Sequence, residues 1–179
     1  MTTPVPAPPA ATLSGFGLAA TLPDEWEGRI YRRAEPSAAF APRSRAATPD
    51  GRGTDGWAGE QTHPVMHLAT FALPAQRGDY GSGAVEIMGP ADVFVALLEF
   101  GPECLGSALF RTVGLPTVRA GSFDPQALQR RLAGQAGCQL FFTAASRAWC
   151  LYVVIGDARR AAAAAARVNA LLAGLEVDA

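Results

Sequence analysis

An α+β fold is the architecture this sequence predicts: an antiparallel sheet with a C-terminal helix and a short second helix packed on it. Three observations carry the prediction. Short apolar-alternating runs follow one another across turn signals, as sequential hairpins do. Helical patterns are few, and the better one lies near the end of the chain. The length of 179 residues suits one ordinary domain, and 49% hydrophobic against 17% charged residues is ample material for its core.

The elements follow in order. Residues 1–13, rich in Pro, Ala and Thr, read as a flexible tail, leaving 14–179 as a single domain. "GFGLAATL" is a first strand, with Phe16, Leu18 and Ala20 alternating, and Leu22-Pro23-Asp24 turns it. "WEGRIYRR" is a second, half-exposed strand. Residues 34–62 are dominated by Pro, Gly, Ser, Thr and Asp and read as a disordered or mobile insertion. Its only aromatics, Phe40 and Trp57, would pin it to the domain or to a partner. "VMHLATFAL" places Val65, His67, Ala69, Phe71 and Leu73 on one strand face. After the bend "GDYGSG", the alternation in "AVEIM" predicts another strand. "VFVALLEF" is apolar on both faces, as a central strand covered on both sides would be.

"SALFRTV" and "TVRAG" are further short strand candidates. Asp124 followed by Pro125 is an N-cap and first-turn pair, so "PQALQRRLAG" predicts the short helix. "CQLFFTA" and "AWCLYVVIG" make the clearest hairpin, with Ala145-Ser146-Arg147 as its loop. Asp157 caps the last helix, whose apolar stripe is Val168, Leu171 and Leu172 and which closes on Gly174. "LEVD" is a terminal strand or an extended tail.

Composition narrows the function classes. Formal net charge is −1, so no basic footprint for nucleic acid or an acidic membrane surface is visible. All fifteen basic residues are Arg, which reads as the codon bias of a GC-rich, bacterial-type genome. With no lysine, Schiff-base chemistry and a Walker-type phosphate clamp are excluded. No apolar run approaches the ~18 residues of a membrane span, and residues 1–13 show neither the basic n-region nor the apolar h-region of a secretory signal. The expectation is a cytoplasmic protein, unless the start codon is misplaced. The cysteines, Cys104, Cys138 and Cys150, are odd in number and lack framework spacing. A turn near Ser146 would set Cys150 opposite about Thr143 and leave Cys138 roughly 15 Å away. That is beyond the ~7 Å limit for a disulfide, so all three read as core residues.

The bend is the first candidate for chemistry. Its glycines run G-x-x-G-x-G, the wrong order for a dinucleotide cradle, and Ser82 sits in G-S-G, the wrong frame for a nucleophile elbow. It reads as a strand connection presenting Asp79 and Tyr80. His63 and His67 have zinc-like helical spacing. On a strand, however, their Cα atoms would be roughly 13 Å apart. Glu99 ends an apolar strand, so it either faces solvent or pairs with Arg111 or Arg147. Trp26, Tyr31, Tyr80, Trp149 and Tyr152 line a groove or fill the core.

The opening "GFGLAATLPDEWEGRIYRR" resembles the start of PsbP-like domains, in which a strand ends in L-P-x-x-W and a second follows. The close "RVNALLAGLEVD" resembles their final helix and last strand. The resemblance covers residues 14–33 and 160–178 and implies an antiparallel α+β fold in mostly non-enzymatic roles. The expected function is a binding, adaptor or chaperone-type domain that contacts a protein or small ligand through a sheet face. Its binding residues would be Asp79, Tyr80, Glu99, Arg111 and Arg147, with no catalytic residue, metal or cofactor, and with a homodimer left open. The alternatives are a small hydrolase-like enzyme using acids in a cleft and a zinc protein using His63 and His67.

Overall fold

The computed structural model describes residues 11–33 and 63–178; the expected insertion at 34–62 lies outside the described residues. The α+β prediction is met. Two antiparallel sheets carry a single α-helix among the described residues. In chain order the elements are β1 (Ala11–Gly15), β2 (Leu18–Leu22), β3 (Glu27–Arg32), β4 (Pro64–Ala69), β5 (Val93–Phe100), β6 (Ala136–Ala144), β7 (Arg147–Ile155), α1 (Ala161–Leu172) and β8 (Leu175–Val177). The smaller sheet is ordered β1-β2-β8 and the larger β3-β4-β5-β7-β6.

β5 lies at the centre of the larger sheet, as its two-sided apolar pattern predicts, and seven of its eight residues are buried. On one face, Leu68, Leu97, Trp149 and Leu151 pack with Leu18 and Leu22 of the smaller sheet and with Val168 and Leu171 of α1. On the other, Val65, Phe94, Leu98 and Tyr152 pack beneath Ala84, Val85 and Leu128. Each large side chain fully buried this way contributes ~1.5–3 kcal/mol. The two sheets approach closely at Gly28, where a Cβ would meet Leu13 Cδ2 at 2.7 Å and Leu68 Cδ2 at 2.8 Å.

Two hairpins rest on two-residue turns with both central residues at positive φ, the geometry that matches strand twist. They are Phe16-Gly17 (+54° and +72°) and Ala145-Ser146 (+50° and +57°). The first draws Ala11, Thr12 and Leu13 out of the expected tail and into β1; residues 1–10 lie outside the described residues. The second makes Arg147 a strand residue rather than a loop residue. Its centre falls one residue earlier than expected, so Cys150 faces Phe141 instead of Thr143. Cys138 and Cys150 pack on opposite faces of the sheet. Both thiols are free, and burial pushes them up to about 11 and about 12 respectively.

Several expected elements shrink. "AVEIM" is a single 3-10 turn, Val85–Ile87, and not a strand. Gly81 and Gly83, at φ +84° and +89°, fold the chain back over the sheet, while β5 is already paired on both edges by β4 and β7. "SALFRTV" holds a 3-10 turn at Ala108–Phe110 and an isolated bridge from Val113 to Thr143; "TVRAG" runs into another turn at Ala120–Ser122. The second helix is reduced to one turn, Pro125–Ala127. Asp124 caps it as expected, accepting from Gln126 N–H, but Leu128 is extended and buried under the sheet. A ten-residue helix is marginal without tertiary support, and burying Leu128 competes with it. β4 stops at Ala69, so Phe71 and Leu73 leave the strand and pack on the second core.

The last helix keeps its stripe: Val168, Leu171 and Leu172 are buried. Asp157 instead caps a preceding 3-10 turn, Ala158–Arg160, through Arg159 N–H. β8 is a strand, paired with β2. Among the described residues no helix is long and apolar enough to cross a membrane.

Candidate functional site

The bend "GDYGSG" is built from its own backbone. Gly78 N–H bonds Ser82 O, Gly81 N–H bonds Gly78 O, and Ala84 and Val85 N–H both bond Gly81 O. No α-helix starts at the bend, only the 3-10 turn Val85–Ile87, so it lacks the helix N-terminus that a phosphate cradle uses. At Gly81 any Cβ would meet the Phe94 ring at 2.4 Å.

Asp79 and His67 come together beneath this bend. His67 is fully buried on β4, with its ring between Tyr31 and Phe94 at centroid distances of 5.2 and 5.1 Å. Arg77 Nε–H donates to His67 Nδ1 at 2.8 Å, which places the ring proton on Nε2, and Nε2–H donates to the Asp79 carbonyl at 2.8 Å. A second proton would have to sit on Nδ1, facing a guanidinium. Burial lowers the His67 pKa to about 4; the Arg77 charge adds to that effect, and the Asp79 carbonyl opposes it. The Tyr31 hydroxyl donates to Asp79 Oδ1 at 3.0 Å, and Arg33 Nε lies 2.9 Å from Oδ2. Burial, then the Asp79 charge, raises the Tyr31 phenol. A carboxylate and a histidine thus converge, but the histidine has no lone pair facing open space, which general-base chemistry requires. The cluster is a latch holding the bend to the sheet.

Asp79 and Tyr80 do line a cleft, of about 250 Å³, with Ser82, Glu86, Arg130 and Tyr152. Tyr80 meets Tyr152 edge-on at 5.4 Å. Tyr152 OH accepts from Gln129 N–H. Glu86 is partly occupied: its carboxylate accepts from Gly83 N–H at 2.6 Å and lies 3.4 Å from Arg130.

Glu99 and Arg147 belong to a different place. They form a two-pronged ion pair at 2.9 and 2.7 Å. Arg147 donates its remaining N–H groups to the carbonyls of Phe16, Gly17 and Asp178, and its guanidinium stacks 4.6 Å from the Trp149 ring centroid. The pair clamps the smaller sheet to the larger. Arg111, the other expected partner of Glu99, is exposed on the segment leading to β6. His63 Nδ1 lies 3.8 Å from Glu99, while both nitrogens of His67 serve the latch. The two histidines therefore face different partners, and no three His, Cys, Asp or Glu side chains converge on a metal position among the described residues.

The feature that sequence reasoning missed is the outer edge of β6. Two flanking segments pair with it. Gly137 exchanges both of its backbone bonds with Asp124, and Thr143 bonds Thr112 O and Gly114 N–H. Gly137 and Thr143 therefore point their peptide groups away from β7. By strand alternation Gln139 and Phe141 do the same, and neither has a backbone partner on that side among the described residues. The chain between the bridges swings away and leaves a groove of about 450 Å³, lined by Leu109, Leu115, Arg119, Gln139, Leu140 and Phe141. Its far wall is fixed from behind: the Asn169 side chain of α1 accepts from Val118 N–H and donates to Val118 O. Leu109 is 57% exposed and Val113, beside the groove, 84%. The one sequence signal for this edge is "CQLFF", a strand interior with neither charge nor proline to guard it.

No family model, curated protein or solved structure matches the chain.

Proposed function

We propose that this chain is a non-enzymatic binding domain of the adaptor or chaperone kind, and that it holds a protein partner along the β6 groove. The observation that carries this reading is the exposure of Leu109, Val113 and Leu115 beside an unpaired strand edge. Clustered apolar surface next to unfilled backbone bonds is what a protein contact covers. This reading puts the contact on a sheet edge, where the sequence led us to expect a sheet face, and takes Arg111, next to the lining residue Thr112, as near its rim. The PsbP-like resemblance of the two ends agrees with a non-enzymatic role.

The test is a photo-crosslinking residue at Leu115, with Ala162 on the exposed side of α1 as control, expressed in the native host. Discrete adducts from position 115 and none from 162 are expected. Their absence across growth conditions would refute the reading. A second reading, a small ligand between Tyr80 and Tyr152, is favoured by the cleft these residues line with Asp79. Adducts from Arg130 at that cleft, with none from Leu115, would move the site there.

A further inference from the structure

We propose that β6, between its two bridges, takes an extended segment of a partner polypeptide as an added strand. That segment would pair with the peptide groups of Gln139 and Phe141, be apolar where it meets Leu109, Leu115 and Leu140, and be acidic where it meets Arg119. This rests on the β6 groove being the contact surface and specifies how that surface works.

Three observations support it. The first is backbone chemistry. Gln139 and Phe141 offer two N–H donors and two C=O acceptors along one edge, two residues apart. Only another extended backbone presents the complementary pairs at that repeat, as in recognition by strand addition. The second is length. From Gly137 to Thr143 the strand advances roughly 20 Å, so the bridges define a slot that ends on both sides and admits a segment of about five residues. The third is charge. Among the described residues Arg119 is the only charged side chain lining the groove and no carboxylate lines it, and exposed Arg111 adjoins the lining residue Thr112. An occupant with a carboxylate near Arg119 is favoured over one with an ammonium there.

The experiment uses the full chain and a phage-displayed library of random heptapeptides, counter-selected against the Leu115→Asp variant. Enriched peptides are expected to be apolar, β-prone and to carry Asp or Glu. In the best of them, replacing that acid by its amide should weaken binding about fivefold to the native chain and leave binding to Arg119→Gln unchanged. N-methylation along the peptide should weaken binding at least tenfold at alternate positions only, because successive N–H groups point towards and away from β6. Amide exchange at Gln139 and Phe141 should slow at least tenfold on binding.

A flat N-methylation profile with unchanged amides, for a peptide that Leu115→Asp still abolishes, would overturn strand addition and leave the groove reading standing. Recovery of binders only when the Leu115→Asp counter-selection is omitted would overturn both. Selection of Lys- or Arg-bearing peptides would overturn the charge assignment. Gln139 and Phe141 amides already protected before peptide is added, or a dimer that Gln139→Pro dissolves, would assign the edge to this chain itself and overturn the proposal.

Discussion

Replacing Arg147 should do more damage than its position at a hairpin turn suggests. All five of its N–H groups are used: two on the Glu99 carboxylate and three on the carbonyls of Phe16, Gly17 and Asp178. In Arg147→Met the stem still packs near Trp149, but Glu99 keeps a carboxylate whose side chain is only 11% exposed. Removing one partner of a buried pair costs about 3–5 kcal/mol. This pair sits at a strand end where water reaches the freed carbonyls, so the expected loss is about 2–4 kcal/mol.

Glu99→Gln removes the charge that Arg147→Met strands. The double variant should therefore be more stable than the sum of the two losses, by about 2 kcal/mol of coupling. Urea denaturation of the four proteins measures both quantities. A native-like m-value would show that the folded and unfolded ends are unchanged. Amide exchange adds a second readout, because the clamp joins the sheets: protons of β2 and β8 should lose protection before those of β5. A loss below about 1 kcal/mol, or additive single losses, would refute the claim that this pair holds the sheets together.

Three further outcomes follow from other parts of the fold. His67 has a folded pKa below its unfolded value of 6.5, at about 4. Above pH 6.5 both states are neutral and the histidine leaves stability unchanged. Between pH 6.5 and about 4 only the unfolded state takes up the proton, so stability falls with pH by up to about 1.4 kcal/mol per pH unit; chemical denaturation at pH 7 and pH 5 tests this, and an NMR titration showing a His67 imidazolium at pH 6 would contradict it. Gly81→Ala should cost about 1–3 kcal/mol, since the new methyl meets Phe94 and the backbone stands at φ +84°; an unchanged melting temperature would show that the bend yields freely. Gln139→Pro should lower stability by no more than about 1 kcal/mol, because the N–H it removes points away from β7; a loss above about 3 kcal/mol would mean that this N–H has a partner within the chain.

Much of the scaffold was legible in sequence because burial imposes period and length. "VFVALLEF" reads as a doubly covered strand, and Val168, Leu171 and Leu172 as one helix face, and both are found so. The errors fall where three or four residues decide between states. Val85-Glu86-Ile87 alternates as a strand would, yet the left-handed glycines before it and the occupied edges of β5 make it a turn. The short helix lost to the burial of Leu128 and to the bridge that Asp124 makes with Gly137, both long-range terms invisible locally. Among site residues, the pairing of Glu99 with Arg147 was within reach, since an acid ending an apolar strand needs a cation. That Asp79 would face Tyr31, 48 residues earlier, was not.

The two outer strands of the larger sheet show why β6 is the edge to watch. β3 carries Glu27, Arg29 and Arg32 within six residues, and charge along an edge discourages a further strand from joining. β6 has nine residues and no charge among them. If its interior edge served only to end the sheet, a charge or proline at Gln139 or Phe141 would protect it at little cost, because neither N–H is spent on β7. Protection comes instead from the two bridges at Gly137 and Thr143, which block the ends and leave the middle open. Bridges of that kind limit how long an added strand can be and where it must register. A chain selected merely against aggregation gains nothing from such a limit, whereas one that accepts a defined partner segment does.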